Sequence, residues 1–268
     1  MTFRASYSGE WGLQVTSDLR GKRCLIVGAS SGIGAAVAKR FGELGMHLAV
    51  HYNANRAGAE AVADAVRAAG GTAEIFAADV ADGAAATDLV DRAAAHLGGL
   101  DILINNAGSM YGRTSIADAT DEQYQQVIDL NIGGIFFASR RAAALMRTER
   151  RGTIINTTSV AARTGGGAGA GLYGSAKGFV STITRVLAKE LAPVGVRVNA
   201  VAPGVIMTPF HERFSTPEQL DNSVRGIPLG RLGTAEDCVG AYEFLASERM
   251  SGYITGQIIE VNGGQLMP

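Results

Sequence analysis

The chain has 268 residues, of which 47% are hydrophobic and 18% charged, with a formal net charge of −1. This length suits one domain with a substantial core, so we predict a domain at 21–268 behind an N-terminal extension at 1–20. The charges form no basic block or stripe, which argues against a nucleic-acid partner. No uncharged run reaches the ~18 apolar residues of a membrane span, so we expect no membrane partner.

The two cysteines, Cys24 and Cys238, lie far apart in apolar surroundings. Buried free thiols are typical of a reducing compartment, so we expect a cytoplasmic protein. No Cys/His cluster has zinc-ligand spacing, and we expect no metal site. The extension carries charges and no apolar segment, unlike a secretory signal, and Trp11 is our candidate for anchoring it to the domain.

Apolar runs alternate with helical patterns along the rest of the chain. We predict strands at 23–27, 47–52, 72–77, 101–104, 153–157, 196–201 and 257–261. We predict helices at 35–44, 56–69, 83–97, 121–148, 173–193 and 235–246. Residues 205–228 have mixed polarity and little period. The alternation predicts an α/β fold with a doubly wound, seven-stranded parallel sheet and helices on both faces.

Glycine-rich or polar segments follow the first, fourth, fifth and sixth predicted strands, and we expect them to converge on one crevice beyond the strand ends. The first segment, 28–34, joins a strand to a helix and reads Gly-Ala-Ser-Ser-Gly-Ile-Gly. Backbone N–H groups at a helix start attract an anion, and glycine allows close approach. The segment therefore predicts a phosphate-binding loop of a dinucleotide site.

Two other interpretations of this glycine loop stay open. It could be a tight turn without a ligand. Residues 28–32 also fit the Gly-x-Ser-x-Gly nucleophile elbow of a hydrolase, with Ser30 as the nucleophile. A hydrolase would need an oxyanion-hole loop from an earlier strand, which is not evident, and a downstream histidine. Only His96 and His211 could serve, and neither lies in a convincing site.

The end of the second predicted strand bears on which dinucleotide would bind. A carboxylate there would bind the ribose 2′-hydroxyl of NAD, yet between residues 35 and 59 the only acid is Glu43, inside the first predicted helix. A 2′-phosphate would meet no repulsion, and Asn53 or Arg56 could bind it. We therefore expect NADP(H) to be preferred, with NAD(H) possible.

Tyr173 and Lys177 lie one turn apart on the same helix face. A lysine cation beside a phenol favours the phenolate, so we expect a lowered pKa and a tyrosine that serves as acid or base near neutral pH. Ser159 follows the fifth predicted strand and could hydrogen-bond a carbonyl oxygen, with Thr157 and Thr158 as competitors.

Asn131 lies in the apolar stretch 127–137 of a predicted helix. A buried amide needs partners, so this residue is either a structural tether or part of a proton path, and both remain open.

The order of these motifs resembles that of the short-chain dehydrogenase/reductase family, from about residue 20 to 264. The resemblance rests on the following segments: 27–34, 79–80, 105–108, Asn131, Ser159, Tyr173 with Lys177, 203–204, 253–257 and 261–264. Val27 stands where the family usually has threonine, and Asn262 where it often has aspartate.

The resemblance implies a single-domain Rossmann fold with Tyr173 as general acid/base. Lys177 would lower the tyrosine pKa and bind the nicotinamide ribose, Ser159 would hold the substrate oxygen, and Asn131 would position a water in a proton relay. Asp79 and Val80 would flank the adenine. The full set implied to bind the cofactor is Gly28, Ser30, Ser31, Gly32, Ile33, Gly34, Tyr52, Asn53, Arg56, Asp79, Val80, Asn106, Ala107, Gly108, Tyr173, Lys177, Pro203, Gly204, Ile206 and Thr208.

The expected function is oxidoreduction between a carbonyl compound and an alcohol with NAD(P)(H), foremost as a reductase of ketones or 3-oxoacyl compounds. A sugar or polyol dehydrogenase of the same family is the alternative, and a non-catalytic dinucleotide-binding sensor is the alternative from another class. The resemblance also implies a homotetramer. We expect the substrate to be chosen by segments 109–115, 160–171 and 205–228. In these segments Met110, Met207 and Phe210 would suit an apolar substrate, and His211, Glu212 and Arg213 a polar one.

Overall fold

The computed structural model of the protein describes residues 17–268, and nine strands occur in that part of the chain. In chain order they are β1 Arg23–Val27, β2 His47–Tyr52, β3 Thr72–Ala77, β4 Ile102–Asn105, β5 Gly152–Thr157, β6 Val196–Pro203, β7 Ile206–Met207, β8 Gly233–Thr234 and β9 Ile258–Val261. Seven form one sheet in the order β3-β2-β1-β4-β5-β6-β9, every neighbouring pair parallel, and β7 pairs with β8. The predicted doubly wound parallel sheet is confirmed.

Helices cover both faces of this sheet. They are α1 Gly32–Glu43, α2 Arg56–Ala68, α3 Gly83–Leu97, α4 Asp121–Ile128, α5 Gly134–Glu149, α6 Ala161–Thr164, α7 Gly171–Leu191, α8 Pro209–Phe214, α9 Pro217–Arg225, α10 Ala235–Ala246 and α11 Glu248–Ser251. Buried residues of α1, α2 and α10 form the core on one face, and those of α3, α5 and α7 form the core on the other. The central strands β1 and β6 are buried on both sides, which explains the apolar run at 24–27 in β1. In β6 the buried Arg197 and Asn199 interrupt the apolar sequence and form hydrogen bonds.

The sheet changes direction between β1 and β4. From β1 the chain winds outward through β2 to β3, and from β4 it winds the other way through β5 and β6. The loops after β1 and β4 therefore leave the sheet on opposite sides and open a crevice at the carboxyl ends of the strands. This crevice lies where the polar segments of the sequence were expected to converge.

The predicted helix at 121–148 is interrupted by a π-helical turn at Asp129–Gly133. The side-chain Nδ2 of Asn131 donates to the Val127 carbonyl at 2.9 Å. In a regular α-helix that carbonyl would accept from the backbone N–H of residue 131. The competition widens one turn, and it places Asn131 at the break, where such turns often serve a site.

Residues 205–228, which lacked a clear pattern, contain the short helices α8 and α9. Each begins with a threonine followed by proline, Thr208-Pro209 and Thr216-Pro217. Thr216 forms a capping box with Gln219, and proline at the first helical position lacks the N–H that would be unpaired there. These start signals are in the sequence, but the helices are too short to show a period.

The described part of the expected extension, residues 17–20, lies on the domain. Leu19 is buried in the core beside α1, and the Asp18 carboxylate accepts from the Ser247 hydroxyl and the Arg249 N–H. Trp11 lies outside the described residues. No helix among residues 17–268 has the length and hydropathy to cross a bilayer.

Arg197 on β6 is a buried cation that links the sheet to the end of α10. Its Nη2 donates to the Thr153 hydroxyl and to the Leu245 carbonyl, both at 3.0 Å. Its Nη1 donates to the Ser251 hydroxyl, and its Nε to the more exposed Glu248 carboxylate.

We expect Arg197→Met to lower the free energy of unfolding by about 3 kcal/mol, because buried acceptors lose their donor. Arg67→Met is the matched control, since exposed Arg67 forms a surface ion pair with Asp64 and donates to the Ala73 carbonyl, and we expect its loss to cost about 1 kcal/mol. Urea denaturation of both variants measures the difference. Equal losses in the two variants would contradict this assignment.

Candidate active site

One elongated cavity of about 810 Å³ lies at the carboxyl ends of β1, β4, β5 and β6. It runs from the end of β2 to the helices α8 and α9. The sequence-predicted residues that line it are Gly28, Ser30, Ser31, Gly32, Ile33, Tyr52, Asn53, Asp79, Val80, Asn106, Ala107, Gly108, Ser159, Tyr173, Lys177, Pro203, Gly204, Ile206 and Thr208. Gly34, Arg56 and Asn131 are not part of its wall.

The glycine loop forms a backbone cradle at the start of α1. Ser31 is the N-cap of this helix, yet its side chain accepts no capping hydrogen bond, so the first-turn N–H groups are not paired by it. A Cβ on Gly28, whose φ is +81°, would lie 2.7 Å from the Ala107 nitrogen, and a Cβ on Gly34 would lie 2.2 Å from the Gly28 oxygen. The loop is therefore shaped by glycine, and the uncapped first turn of α1 and its helix dipole fit the diphosphate of a dinucleotide.

The end of β2 contributes asparagine amides to the cavity and no carboxylate. Asn53 is exposed on the wall, while Asn55 accepts from the Gly58 N–H and donates to the Ser30 carbonyl. Arg56 is turned away, because its Nε pairs with Glu60 one turn along α2 at 2.8 Å. Arg56 was expected to reach the cofactor, and in the structure its guanidinium binds its own helix instead.

His51 lies under the glycine loop and was missed by the sequence analysis. The Gly28 N–H donates to its Nδ1 at 2.9 Å, and its Nε2 bonds the Ala78 carbonyl at 3.0 Å. The only signal in the sequence was a histidine within the apolar part of the second strand, which also begins with His47. Both ring nitrogens bond backbone groups, so His51 is no general base for Ser30.

Three side chains from two elements meet at the middle of the cavity. Tyr173 and Lys177 come from α7, and Ser159 follows β5. The Lys177 Nζ donates to the Thr157 carbonyl at 2.9 Å and lies 5.6 Å from the centre of the Tyr173 ring. The Ser159 hydroxyl faces the phenol, so one small region holds a proton donor, a second hydroxyl and a cation.

Burial, rather than the lysine, sets the protonation of these groups. Burial raises the pKa of Tyr173 to about 12, and the Ser159 hydrogen bond lowers it only in part. Burial also lowers the pKa of Lys177 to about 8. The pKa of Tyr173 is therefore raised instead of lowered, because burial disfavours the phenolate and the Lys177 ammonium is directed at the Thr157 carbonyl. At neutral pH the phenol keeps its proton.

Asn131 reaches the edge of this group from the π-helical turn. Its Nδ2 donates to the Ser109 and Val127 carbonyls, at 2.7 and 2.9 Å. Its Oδ1 is buried and has no hydrogen-bond partner among the described residues. A Cβ on Gly108 would lie 2.9 Å from that oxygen and 3.2 Å from the Lys177 Nζ. The amide is thus a tether that also offers one acceptor beside the lysine.

The far end of the cavity carries both apolar and cationic groups. The Phe210 ring packs on the Tyr173 ring with 5.3 Å between their centres, and buried Met110 lines the same wall. The Arg113 guanidinium joins two loops by donating to the Ala168 and Phe214 carbonyls. Among the other residues expected to choose the substrate, the wall includes His211 and Arg213 and excludes Met207 and Glu212.

Comparison with known proteins identifies the family. A family model described as enoyl-(acyl carrier protein) reductase matches residues 28–265. The chain belongs to the short-chain dehydrogenase/reductase family. The 3-oxoacyl-[acyl-carrier-protein] reductase of Synechocystis sp. is 39% identical over 243 residues, covering 91% of this chain and 96% of that protein. The 3beta-hydroxysteroid dehydrogenase 1 of Eggerthella lenta is 38% identical over 256 residues, covering 93% and 95%.

A solved structure agrees with the computed fold. The NADH-dependent reductase A1-R′, crystallised as a complex with NAD, is 36% identical and superposes with a TM-score of 0.84, covering 94% of this chain and all of that one. The protein is accordingly a short-chain dehydrogenase/reductase that interconverts carbonyl compounds and alcohols with a nicotinamide dinucleotide. This membership removes the hydrolase and sensor alternatives.

We expect Gly34→Ala to weaken NAD(P)H binding by at least about tenfold, because its methyl group would push the Gly28 carbonyl out of the cradle. Gly240→Ala is the matched control, since Gly240 is also helical and has open space around its Cβ position. It should leave affinity unchanged and stabilise α10 by up to about 1 kcal/mol. Titration of both variants with NADPH and NADH tests this, and wild-type affinity in Gly34→Ala would refute the cradle.

Proposed function

We propose that this short-chain dehydrogenase/reductase is an NADPH-preferring ketone reductase in which Tyr173 is the general acid. The observation that carries this proposal is a tyrosine with a raised pKa beside Ser159, in the cavity that also contains the glycine loop. A phenol that keeps its proton at neutral pH suits donation to a developing alkoxide. It suits the reverse reaction less, because oxidation first requires the phenolate.

Each catalytic residue would act on the substrate oxygen or on its proton. The bound nicotinamide would supply the hydride. Ser159 would hold the carbonyl oxygen and Tyr173 would protonate it as charge develops. Lys177, held by Thr157, would carry the positive charge that eases loss of the phenolic proton. The free Oδ1 of Asn131 supports a role in holding a water that returns a proton to the site.

The remaining cavity residues would bind the cofactor along its length. Ser30, Ser31, Gly32 and Ile33 would surround the diphosphate at the start of α1. At the adenine end the residues would be Tyr52, Asn53, Asp79 and Val80. Towards the nicotinamide they would be Asn106, Ala107, Gly108, Pro203, Gly204, Ile206 and Thr208, with Tyr173 and Lys177.

The preference for NADPH rests on the end of β2. This segment presents the Asn53 amide and no carboxylate to the cavity, so nothing there would repel a 2′-phosphate. Arg56 could pair with that phosphate only by leaving Glu60. The relative A1-R′ uses NADH, so the opposite preference occurs within the family.

An apolar or acyl group next to the ketone fits the wall formed by Met110 and Phe210. The glycines at 165–167 add little side-chain bulk opposite, which leaves room for a long or broad substrate. A sugar or polyol is the second candidate, because Gln219, Asn222 and Ser223 supply polar side chains at α9. The two curated relatives described above are named for acyl and steroid substrates, which favours the first candidate.

We also propose that the protein is a homotetramer and that it is cytoplasmic. Large apolar side chains on α4, α5 and α7 are exposed in the chain by itself, namely Tyr124, Phe136, Phe179 and Val186. Copies of the chain packed on these helices would cover them, which supports a homotetramer. Cys24 and Cys238 are buried free thiols, which supports a reducing, cytoplasmic setting.

We expect Tyr173→Phe to lower kcat by about a hundredfold or more, because the general acid is lost, while the dissociation constant for NADPH stays within about threefold. Nicotinamide absorbance followed over a panel of 3-oxoacyl thioesters, keto-steroids and sugars, with NADPH and NADH, gives the substrate and the cofactor ratio together. Tyr253→Phe is the control, since Tyr253 is fully exposed. Wild-type turnover in Tyr173→Phe would contradict the role of Tyr173 as general acid. A higher kcat/KM with NADH than with NADPH would contradict the cofactor preference.

The two reaction directions should respond differently to pH. Because the pKa of Tyr173 is raised to about 12, the fraction of phenolate grows with pH while the phenol stays in excess. Oxidation of the alcohol should therefore accelerate by roughly tenfold per unit between about pH 6 and 8, and reduction should stay nearly constant. The increase of the oxidation rate with pH should level off near pH 8, because Lys177 loses there the positive charge that eases loss of the phenolic proton. Oxidation that is independent of pH over this range would show a preformed phenolate and contradict the assignment.

A further inference from the structure

His51 is a buried imidazole with hydrogen bonds to two different loops of the cavity. The residue is 1% exposed at the carboxyl end of β2. The Gly28 N–H donates to Nδ1, so that nitrogen has no proton, and the Ala78 carbonyl accepts from Nε2. Only the neutral ring with its proton on Nε2 can make both bonds.

The two bonded loops are those that bound the adenosine half of the proposed dinucleotide site. Gly28 opens the glycine loop, and Ala78 immediately precedes Asp79 and Val80. The backbone of β2 also joins the same two loops. The Ala29 N–H donates to the His51 carbonyl, and the Ala78 N–H donates to the Tyr52 carbonyl. The imidazole therefore adds a second brace of fixed length between the same loops.

The environment keeps this ring in one protonation state. Burial lowers the pKa of His51 to about 4, and the nearby Arg92 guanidinium acts in the same direction. The Ala78 carbonyl and the Asp79 carboxylate oppose this shift and favour the proton, but they do not outweigh burial. The brace is thus intact throughout the neutral range.

We propose that His51 is a positioning residue for the cofactor, whose Nε2–H tautomer sets the spacing between the glycine loop and the Asp79 loop. Removing the ring would leave the Gly28 N–H and the Ala78 carbonyl without these partners, and the loops would reorganise around them. The role concerns the affinity for the adenosine diphosphate portion. The inference rests on the proposed dinucleotide site.

Three substitutions at this position separate the two bonds. The Oδ1 of asparagine can replace Nδ1 and accept from Gly28, so His51→Asn keeps the bond to the glycine loop. The Nε2 of glutamine can replace the ring donor and reach Ala78, so His51→Gln keeps the other bond. His51→Leu removes both. His47→Leu is the matched control, because His47 begins the same strand and, among the described residues, its ring bonds only the exposed Thr72 hydroxyl.

The test measures binding of ADP-ribose and of its 2′-phosphate, using whichever the wild-type chain binds more tightly. We expect His51→Leu to lose about tenfold or more in affinity, and His51→Asn and His51→Gln, which each keep one end of the brace, to lose about threefold to tenfold. In turnover the KM for the dinucleotide should rise while kcat at saturation is kept. Nitrogen-15 NMR of the wild-type chain should place the His51 proton on Nε2 before and after ADP-ribose is added.

Three outcomes would overturn the inference. They are wild-type affinity in His51→Leu, affinity losses in the three variants that only follow their thermal stabilities, or a proton on Nδ1. The NMR result stands even if a variant fails to fold. The proposed function fails separately. If the wild-type chain binds neither ADP-ribose nor its 2′-phosphate, the dinucleotide site itself is wrong, whereas binding with an indifferent His51 rejects only the positioning role.

Discussion

The site depends on how the Lys177 ammonium group is held in the interior. Only 2% of this residue is exposed, and a cation there needs a strong acceptor, which the Thr157 carbonyl at the end of β5 provides. Further along α7, Ser181 bonds Thr158 and Thr184 bonds Asn156. Hydrogen bonds from Lys177, Ser181 and Thr184 thus hold three positions along α7 against β5 and the residue that follows it. Tyr173, one turn before the lysine, is thereby placed beside Ser159.

Under the proposed function, the cavity has one half that would bind the dinucleotide and one half that would handle a proton. The glycine loop and the His51 brace belong to the first half, where the side chains of His51, Asn55 and Asn106 bond to the backbone of the loop. In the second half, burial governs the protonation of Tyr173 and Lys177. We interpret the raised phenol pKa as a bias towards reduction, since a protonated phenol is the form that reduction consumes.

Much of the fold could be predicted because its signals are local. Apolar strands, caps and glycine stops lie next to each other in the sequence, so the sheet and most helices were predicted correctly. The π-helical turn could not be predicted, because it depends on the Asn131 side chain taking a carbonyl from its own helix. The positions of Arg56 and His51 depend on which neighbours the fold supplies. The direction of the Tyr173 pKa depends on burial, which a Tyr-x-x-x-Lys spacing does not reveal.

The most direct measurement follows the transferred hydrogen. Reduced dinucleotide deuterated at the reactive nicotinamide carbon is incubated with the best ketone from the panel, and the alcohol is analysed by mass spectrometry and NMR. Direct hydride transfer from the nicotinamide to the carbonyl carbon predicts one deuterium on the carbinol carbon of the product. An alcohol whose carbinol hydrogen comes from water would contradict it.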